Sequence, residues 1–308
     1  MQNRQKRFQR WSMAITACLF SLSISACSPN GPENAARAPV AIQVVDDDGL
    51  IVNLDKPAQR IITLSPHATE LVYDIGAGKQ VIATTRFSDY PKEALDLPTV
   101  GDVHQLDIEK IISLNPDLIV LWPSGSSAKQ MAVLAATGIP IYRTNPRKLA
   151  DIPASLRKLG QLTGHAGEAG EFTEQWNNQY DILRQRYHNR KSVTVFYQVF
   201  DQPIYTIGGK QVISEVIDFC GGRNIFSDIK VPSSVVDVET VLGRNPDVII
   251  STGGGSGESG LGLWKQFPSL KAVQNHNLYV IKSDLISRPG PRIIQGIKYL
   301  CENMDKAR

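Results

Sequence analysis

Asp107-Ile-Glu109-Lys-Ile-Ile-Ser-Leu-Asn115-Pro116-Asp117-Leu-Ile-Val120 returns 130 positions later as Asp237-Val-Glu239-Thr-Val-Leu-Gly-Arg-Asn245-Pro246-Asp247-Val-Ile-Ile250. Six of the fourteen positions are identical, and most of the others exchange one aliphatic residue for another. Each copy opens with an aspartate suited to cap a helix and continues through a short amphipathic stretch. It breaks at Asn-Pro-Asp and ends in an apolar run of strand length. A helix–turn–strand unit repeated at so long an interval does not fit a solenoid; it fits two similar α/β lobes. Two lobes leave a cleft, and clefts between lobes are where ligands bind.

Working outward, the first copy is flanked by strand Arg60–Leu64, a helix opened by Ser65-Pro66-His67-Ala68-Thr69-Glu70 and strand Val81–Thr84. A helix over 126–137 stops at Gly138, and strand Ile139–Tyr142 follows. The second copy is flanked by strand Val193–Tyr197, helix Val212–Phe219, a helix start at Gly262–Phe267, strand Leu278–Ile281 and helix Ile293–Met304. Short apolar runs between helices indicate parallel-rich sheets with covered faces. Between the copies, Ala166–His188 carries no proline and no strand signal, and such a helix would span roughly 30 Å. It reads as a rigid connector. The organisation expected is a leader over 1–26, a tether and N-terminal hairpin over 27–57, one lobe over 58–165, a linking helix over 166–190 and a second lobe over 191–308. The hairpin pairs Ile42–Val45 with Leu50–Leu54 around Asp46-Asp47-Asp48-Gly49. That aspartate run lacks the later glutamate of a calcium loop, so it reads as a turn.

The first 26 residues read as an export signal: Arg4, Lys6, Arg7 and Arg10 precede an apolar stretch too short for a comfortable membrane span. The stretch ends in Ile24-Ser25-Ala26-Cys27, which resembles the lipobox of bacterial lipoproteins and implies cleavage before a lipidated Cys27. Several acyl chains hold a protein stably to a membrane. Losing residues 1–26 removes four positive charges and no negative one, which turns a net charge of +3 into −1. With no basic run and no basic–aromatic interleaving, nucleic acid is not an expected partner. Cys220 and Cys301 remain as an even pair in an exported chain, either a disulfide or two separate buried thiols. The histidines at 67, 104, 165, 188 and 276 are scattered, with no zinc spacing among them.

Several further segments stand in a specific order: Ile62-Thr-Leu-Ser-Pro66, Thr69-Glu70-Leu71, Ser88-Asp89-Tyr90-Pro91, Leu106-Asp-Ile-Glu109, Asn115-Pro-Asp117-Leu118 and Val195-Phe-Tyr197. They continue through Cys220-Gly-Gly222-Arg-Asn224-Ile-Phe226, Arg288-Pro-Gly-Pro-Arg292 and Cys301. Together they resemble the vitamin B12-binding proteins of bacterial cobalamin ABC importers over essentially all of residues 58–308. The resemblance implies the helix-bridged class of periplasmic binding protein, with two Rossmann-like lobes, one long linking helix and limited hinge motion. It implies a lipid-anchored chain at the periplasmic face that captures cobalamin between the lobes and delivers it to a membrane importer. Cobalamin is then a transported ligand, and no cofactor or catalysis is expected. Glu109 and Glu239, by position, favour their helix dipoles. The resemblance gives them a second role, pairing one glutamate per lobe with arginines of a two-fold permease dimer.

The cleft is expected at the carboxyl ends of the strands. Cobalamin is large, flat-faced and nearly neutral, so aromatic walls and a few polar groups suit it. Phe87, Trp122, Tyr197, Phe200 and Tyr205 are the aromatic candidates at strand ends, and Asp284 and Arg288 the polar ones after the last strand. Where the best-known relatives carry further tryptophans this chain has Val103, Ser233 and Leu285, so part of an aromatic cage is missing. Haem or a ferric siderophore is the alternative cargo on the same scaffold. Haem would draw on Tyr90, Tyr197 or His67 as axial ligand; a catecholate would want converging arginines, for which Arg288, Arg86 and Arg143 are candidates. Gly255-Ser-Gly257-Glu-Ser-Gly260 fits a dinucleotide fingerprint but lies in the wrong half of the fold, where a mobile loop is the simpler reading.

Overall fold

The computed structural model describes residues 42–102, 104–253 and 260–308. The export signal, Cys27, the tether over 28–40, Val103 and all but the last glycine of the 255–260 fingerprint lie outside the described residues.

The chain begins with hairpin β1 (Ile42–Val45) and β2 (Ile51–Leu54), closed by Gly49 at φ 84°. Next come β3 (Ile61–Thr63), α1 (Pro66–Asp74), β4 (Val81–Ala83), α2 (Ile108–Ser113), β5 (Leu118–Leu121), α3 (Ala128–Ala136) and β6 (Ile141–Arg143). These strands form a parallel sheet in the order β4-β3-β5-β6. Helices α4 (Asp151–Thr163) and α5 (Ala166–Tyr187) follow, separated at Gly164, whose φ of 80° ends α4 in the left-handed region. Pro153 does not break α4, because it falls in the first turn, where a missing N–H is harmless.

The second sheet is built from β7 (Val193–Asp201), β8 (Ile204–Ile207), β9 (Gly222–Asn224), β10 (Ser233–Val235), β11 (Val248–Ser251) and β12 (Leu278–Val280). Helices α6 (Val212–Phe219), α7 (Val238–Arg244), α8 (Lys271–Gln274) and α9 (Ile293–Asp305) complete the lobe. The order is β10-β8-β7-β11-β12, with β9 pairing the start of the long β7 and β8 pairing its end. Strands β9, β11 and β12 are parallel to the lattice set by β7, whereas β8 runs antiparallel. This sheet is therefore more mixed than the first. The strand at 204–207 and the one at 233–235 were not legible from the repeat, which has no counterpart to them. The helix start expected at Gly262–Phe267 is only a 3₁₀ turn, Trp264–Gln266, because Pro268 disfavours helical backbone at Phe267.

The two copies of the repeat fold alike. Asp107 and Asp237 cap α2 and α7 through the backbone N–H groups of Lys110 and Thr240, at 2.9 and 2.6 Å. Asn115 and Asn245 both turn the chain at positive φ, 47° and 41°. The next aspartate then staples the following strand to its neighbour. Asp117 accepts from the backbone N–H of Gln59 and Arg60 at 2.8 and 2.9 Å, beside β3. Asp247 accepts from the backbone N–H and hydroxyl of Thr194 at 2.8 and 2.7 Å, in β7. Strands β5 and β11, which follow, are buried at every position.

Two apolar clusters, around Ile62, Ile119 and Leu134 and around Phe196, Ile249 and Trp264, each cover one face of one sheet. A third is continuous from Leu71 and Val120 through Leu159 and Trp176 to Val195, Ile217 and Leu300. Helices α4 and α5 thus sit in a core shared by both sheets. Gly160 of α4 lets the Ala169 methyl of α5 approach. The far end of α5 puts the fully buried Tyr187 beside Gly221 of the second lobe. Cys220, at the end of α6, is disulfide-bonded to Cys301 of α9 across a separation of 81 residues.

Candidate functional site

A cavity of about 500 Å³ lies where loops at the ends of strands in both lobes converge. The first lobe contributes Trp122 and Ser124 after β5, and Asn145, Pro146 and Arg147 after β6. The second contributes Val199 and Ile207 of β7 and β8, Lys210 to Ile213 at the start of α6, Lys230 and Pro232 before β10, and Ser233 at its start. Ser287 and Pro289, after β12, close it. Another cavity of about 580 Å³ is lined, among the described residues, by residues of the first lobe between Tyr73 and Leu97 alone.

Trp122 is held rather than merely present. Its ring meets His67 edge-on, with centroids 5.3 Å apart, and Gly125 gives the space a Cβ would take from it. His67 is enclosed, and burial drives its imidazole from 6.5 down to about 3, so a neutral ring supports the tryptophan. The neighbouring loop is positioned by the aspartate run of the hairpin turn. Asp47 accepts from the Asn145 backbone N–H at 2.9 Å and Asp48 from its side-chain amide at 3.0 Å. Ser124 donates to the Asn145 side-chain amide oxygen at 2.8 Å. Arg143 and Lys158 neutralise Asp46 and Asp47 at 3.2 and 2.9 Å. The three aspartates therefore carry the cleft wall, in keeping with a turn rather than a calcium loop.

On the opposite wall, Gly208 and Gly209 donate backbone hydrogen bonds to Pro232 and Ile229 at 3.0 and 3.1 Å. A Cβ at Gly208 would meet the Ile229 carbonyl oxygen at 2.6 Å, so glycine is what lets the two loops zip together. Asn224 fixes the same turn from behind, donating to the Ile207 carbonyl and the Ser214 hydroxyl at 3.0 and 2.8 Å. Ser233 makes its part of the wall small and polar.

Of the seven ligand candidates from the sequence, Trp122 alone lines this cavity. Phe87 is three-quarters exposed at φ 66°, and its carbonyl accepts from Arg288 at 3.1 Å. Phe200 and Tyr205 face each other across the β7–β8 pair, partly exposed but off the cavity wall. Tyr197 requires a correction: it is fully buried in the continuous apolar cluster, because strand β7 runs on to Asp201 and keeps it within the sheet. Asp284 and Arg288, the polar candidates after the last strand, do not line the cavity and pair with each other. Arg288 is spent on Asp284 at 2.9 Å, Asp89 at 2.8 Å and Glu70 at 3.0 Å. Arg292 adds two bonds to Glu70, at 2.6 and 2.9 Å, and lies 3.9 Å over the Tyr90 ring. Glu70 is completely buried, so this cluster binds α1 of the first lobe to the loop before α9 of the second. Leu285 is half-buried and off the cavity.

The alternative-cargo residues are placed as clearly. His67, Tyr90 and Tyr197 do not line the cavity. Arg143 is tied to Asp46, and Arg86 stands 3.8 Å from Asp102. What sequence reasoning missed is the cationic lining: Arg147, Lys210 and Lys230. Arg147 lies past the end of β6 and Lys210 just before α6, but Lys230 precedes β10, a strand with no counterpart in the repeat, so only the fold brings it to this wall. Among the described residues no cluster of His, Cys, Asp or Glu is suited to a metal ion, and no helix is long and apolar enough to cross a membrane. Glu109 and Glu239 are exposed in the first turns of α2 and α7, with no ion pair among the described residues.

Residues 61–285 match the sequence pattern of a family described as periplasmic binding protein. A vitamin B12-binding protein of Vibrio parahaemolyticus serotype O3:K6 (strain RIMD 2210633) is 34% identical over 255 residues, covering 82% of this chain and 92% of the relative. That of Yersinia pestis (strain Pestoides F) is 36% identical over 262 residues, covering 83% and 90%. The crystal structure of the periplasmic vitamin B12 binding protein BtuF of Vibrio cholerae superposes with a TM-score of 0.76 at 34% identity, covering 82% of this chain and 98% of that one. With two α/β sheets, a cleft at their strand ends and a match running through both copies of the repeat, the chain belongs to the periplasmic binding protein family.

Proposed function

We propose that this chain captures cobalamin in the cleft between its lobes and delivers it to the two-fold permease of an ABC importer, without catalysing a reaction. The observation that carries this is likeness across the whole folded chain, at about a third identity, to proteins named for vitamin B12 binding. The cleft adds support, since Trp122 offers a fixed aromatic face to a flat macrocycle. Cys27 would carry the lipid that keeps the protein at the periplasmic face. Glu109 and Glu239, at equivalent places in the repeat, would meet the permease. Haem or a ferric siderophore is the competing cargo, favoured by the basic cleft lining; the absence of His67, Tyr90 and Tyr197 from the cleft wall weighs against haem. Calorimetric titration of the mature chain, with Cys27→Ser to prevent lipidation, separates the readings. One-to-one cyanocobalamin binding with a Kd below about 1 μM is expected. Binding of haem or a ferric siderophore in its place would overturn the cargo assignment.

A further inference from the structure

Among the described residues, the cavity wall includes Arg147, Lys210 and Lys230 and no aspartate or glutamate. Against a mature net charge of −1, counted by removing four basic residues from +3, three positive charges in one cleft represent a pronounced separation of charge. The arrangement is built by the fold. Lys210 follows the Gly208-Gly209 turn and Lys230 lies in the loop that turn is hydrogen-bonded to, so both lysines belong to one wall. Neither lysine has an ion pair or side-chain hydrogen bond among the described residues. Among the described residues Arg147, from the facing lobe, has only Asp48 at 3.8 Å as an ion-pair partner, with its own side chain three-quarters exposed. Helix α6 opens between these groups: its first residues, Val212 and Ile213, line the cavity, and Gln211 provides no side-chain cap. The acidic residue of that first turn, Glu215, is turned away, accepting from the Leu149 backbone N–H at 2.9 Å. Three cations and an uncapped eight-residue helix start therefore address the same space.

A nearly neutral macrocycle ringed by amides gives such a wall little to hold. The one anionic group of cobalamin is the phosphodiester in its nucleotide loop. We infer that Lys210 and Lys230, with Arg147 opposite and the start of α6 between them, form an anion subsite that receives this phosphodiester. The subsite divides the cleft into two regions: Trp122 faces the flat ring system, and the cationic wall faces the nucleotide loop. This rests on the cobalamin reading, and it makes the chain selective for complete corrinoids over cobinamide, which has the ring system but lacks the phosphodiester and base.

The test compares the parent chain with a Lys210→Gln/Lys230→Gln double variant, titrating each with cyanocobalamin and with dicyanocobinamide at low and at physiological salt. Loss of charge-assisted contacts should weaken cyanocobalamin roughly ten- to a hundred-fold and collapse the ratio of cobalamin to cobinamide affinity. The parent's preference for cobalamin should also shrink as salt rises. Equal weakening of both ligands, or no weakening of either, overturns the subsite while leaving the cobalamin reading in place. Failure of the parent to bind either corrinoid overturns the cargo reading and, with it, the phosphodiester as occupant.

Discussion

Asp117 and Asp247 perform the same task in two lobes, each fastening the strand that follows it to the backbone of the neighbouring strand. Around them the helix caps, the left-handed asparagines and the fully buried strands also correspond. The walls that face the cleft do not correspond at all. The first lobe presents an indole braced by His67 and a loop hung on the hairpin aspartates. The second presents two lysines on loops zipped together through a glycine pair, in a sheet that has gained an antiparallel strand. The repeated part of each lobe sets the scaffold and the outward face; the unrepeated loops set what the cleft can hold.

The equivalence of the outward faces can be broken at Glu109 and Glu239. If each lobe docks one half of a two-fold permease, Glu109→Arg or Glu239→Arg alone should reduce uptake of labelled cyanocobalamin to background. Titration of either isolated variant should return the parent affinity, and a parallel loss of affinity would remove the docking role. A difference between the lobes comes next in size. The Cys220–Cys301 disulfide closes a long loop wholly within the second lobe. Replacing both cysteines by serine should cost about 4–5 kcal/mol in denaturant unfolding by the chain-entropy argument. A loss below about 1 kcal/mol would mean that the burial of the two helices, not the cross-link, sets stability there. Smaller still, Asp117→Ala and Asp247→Ala should each cost about 1–3 kcal/mol, since the first leaves two backbone N–H groups and the second one N–H and a hydroxyl without their acceptor. Similar losses confirm that the two copies are energetically equivalent; a loss confined to one would show that the sequence identity conceals different roles.

Much of the scaffold was legible in the residues because its signals are local. The Asp cap, the Asn-Pro-Asp turn and the apolar run specify backbone geometry without reference to distant parts of the chain, and the uninterrupted stretch from Ala166 specified a long helix. The cleft was less legible because its contents depend on contacts far apart in sequence. Nothing near Arg288 shows that it meets Glu70, whose partners lie more than 200 positions away. Tyr197 looked like a strand-end aromatic because β7 could not be seen to continue to Asp201. Lys210 and Lys230 belong to one wall only through hydrogen bonds between the loops that carry them. The strands beside those loops, β8 and β10, have no counterpart in the repeat, so nothing local marks either lysine as a cleft residue.

The central claim is that the cleft between the lobes is the cargo site and that Trp122 is its aromatic face. Calorimetric titration of cyanocobalamin into the mature parent chain and into Trp122→Ala tests it most directly. One-to-one binding by the parent is expected, with affinity at least about ten-fold weaker for the variant, which loses a large aromatic contact surface. Equal affinities, with the fold of the variant intact, would contradict it and place cobalamin elsewhere on the molecule.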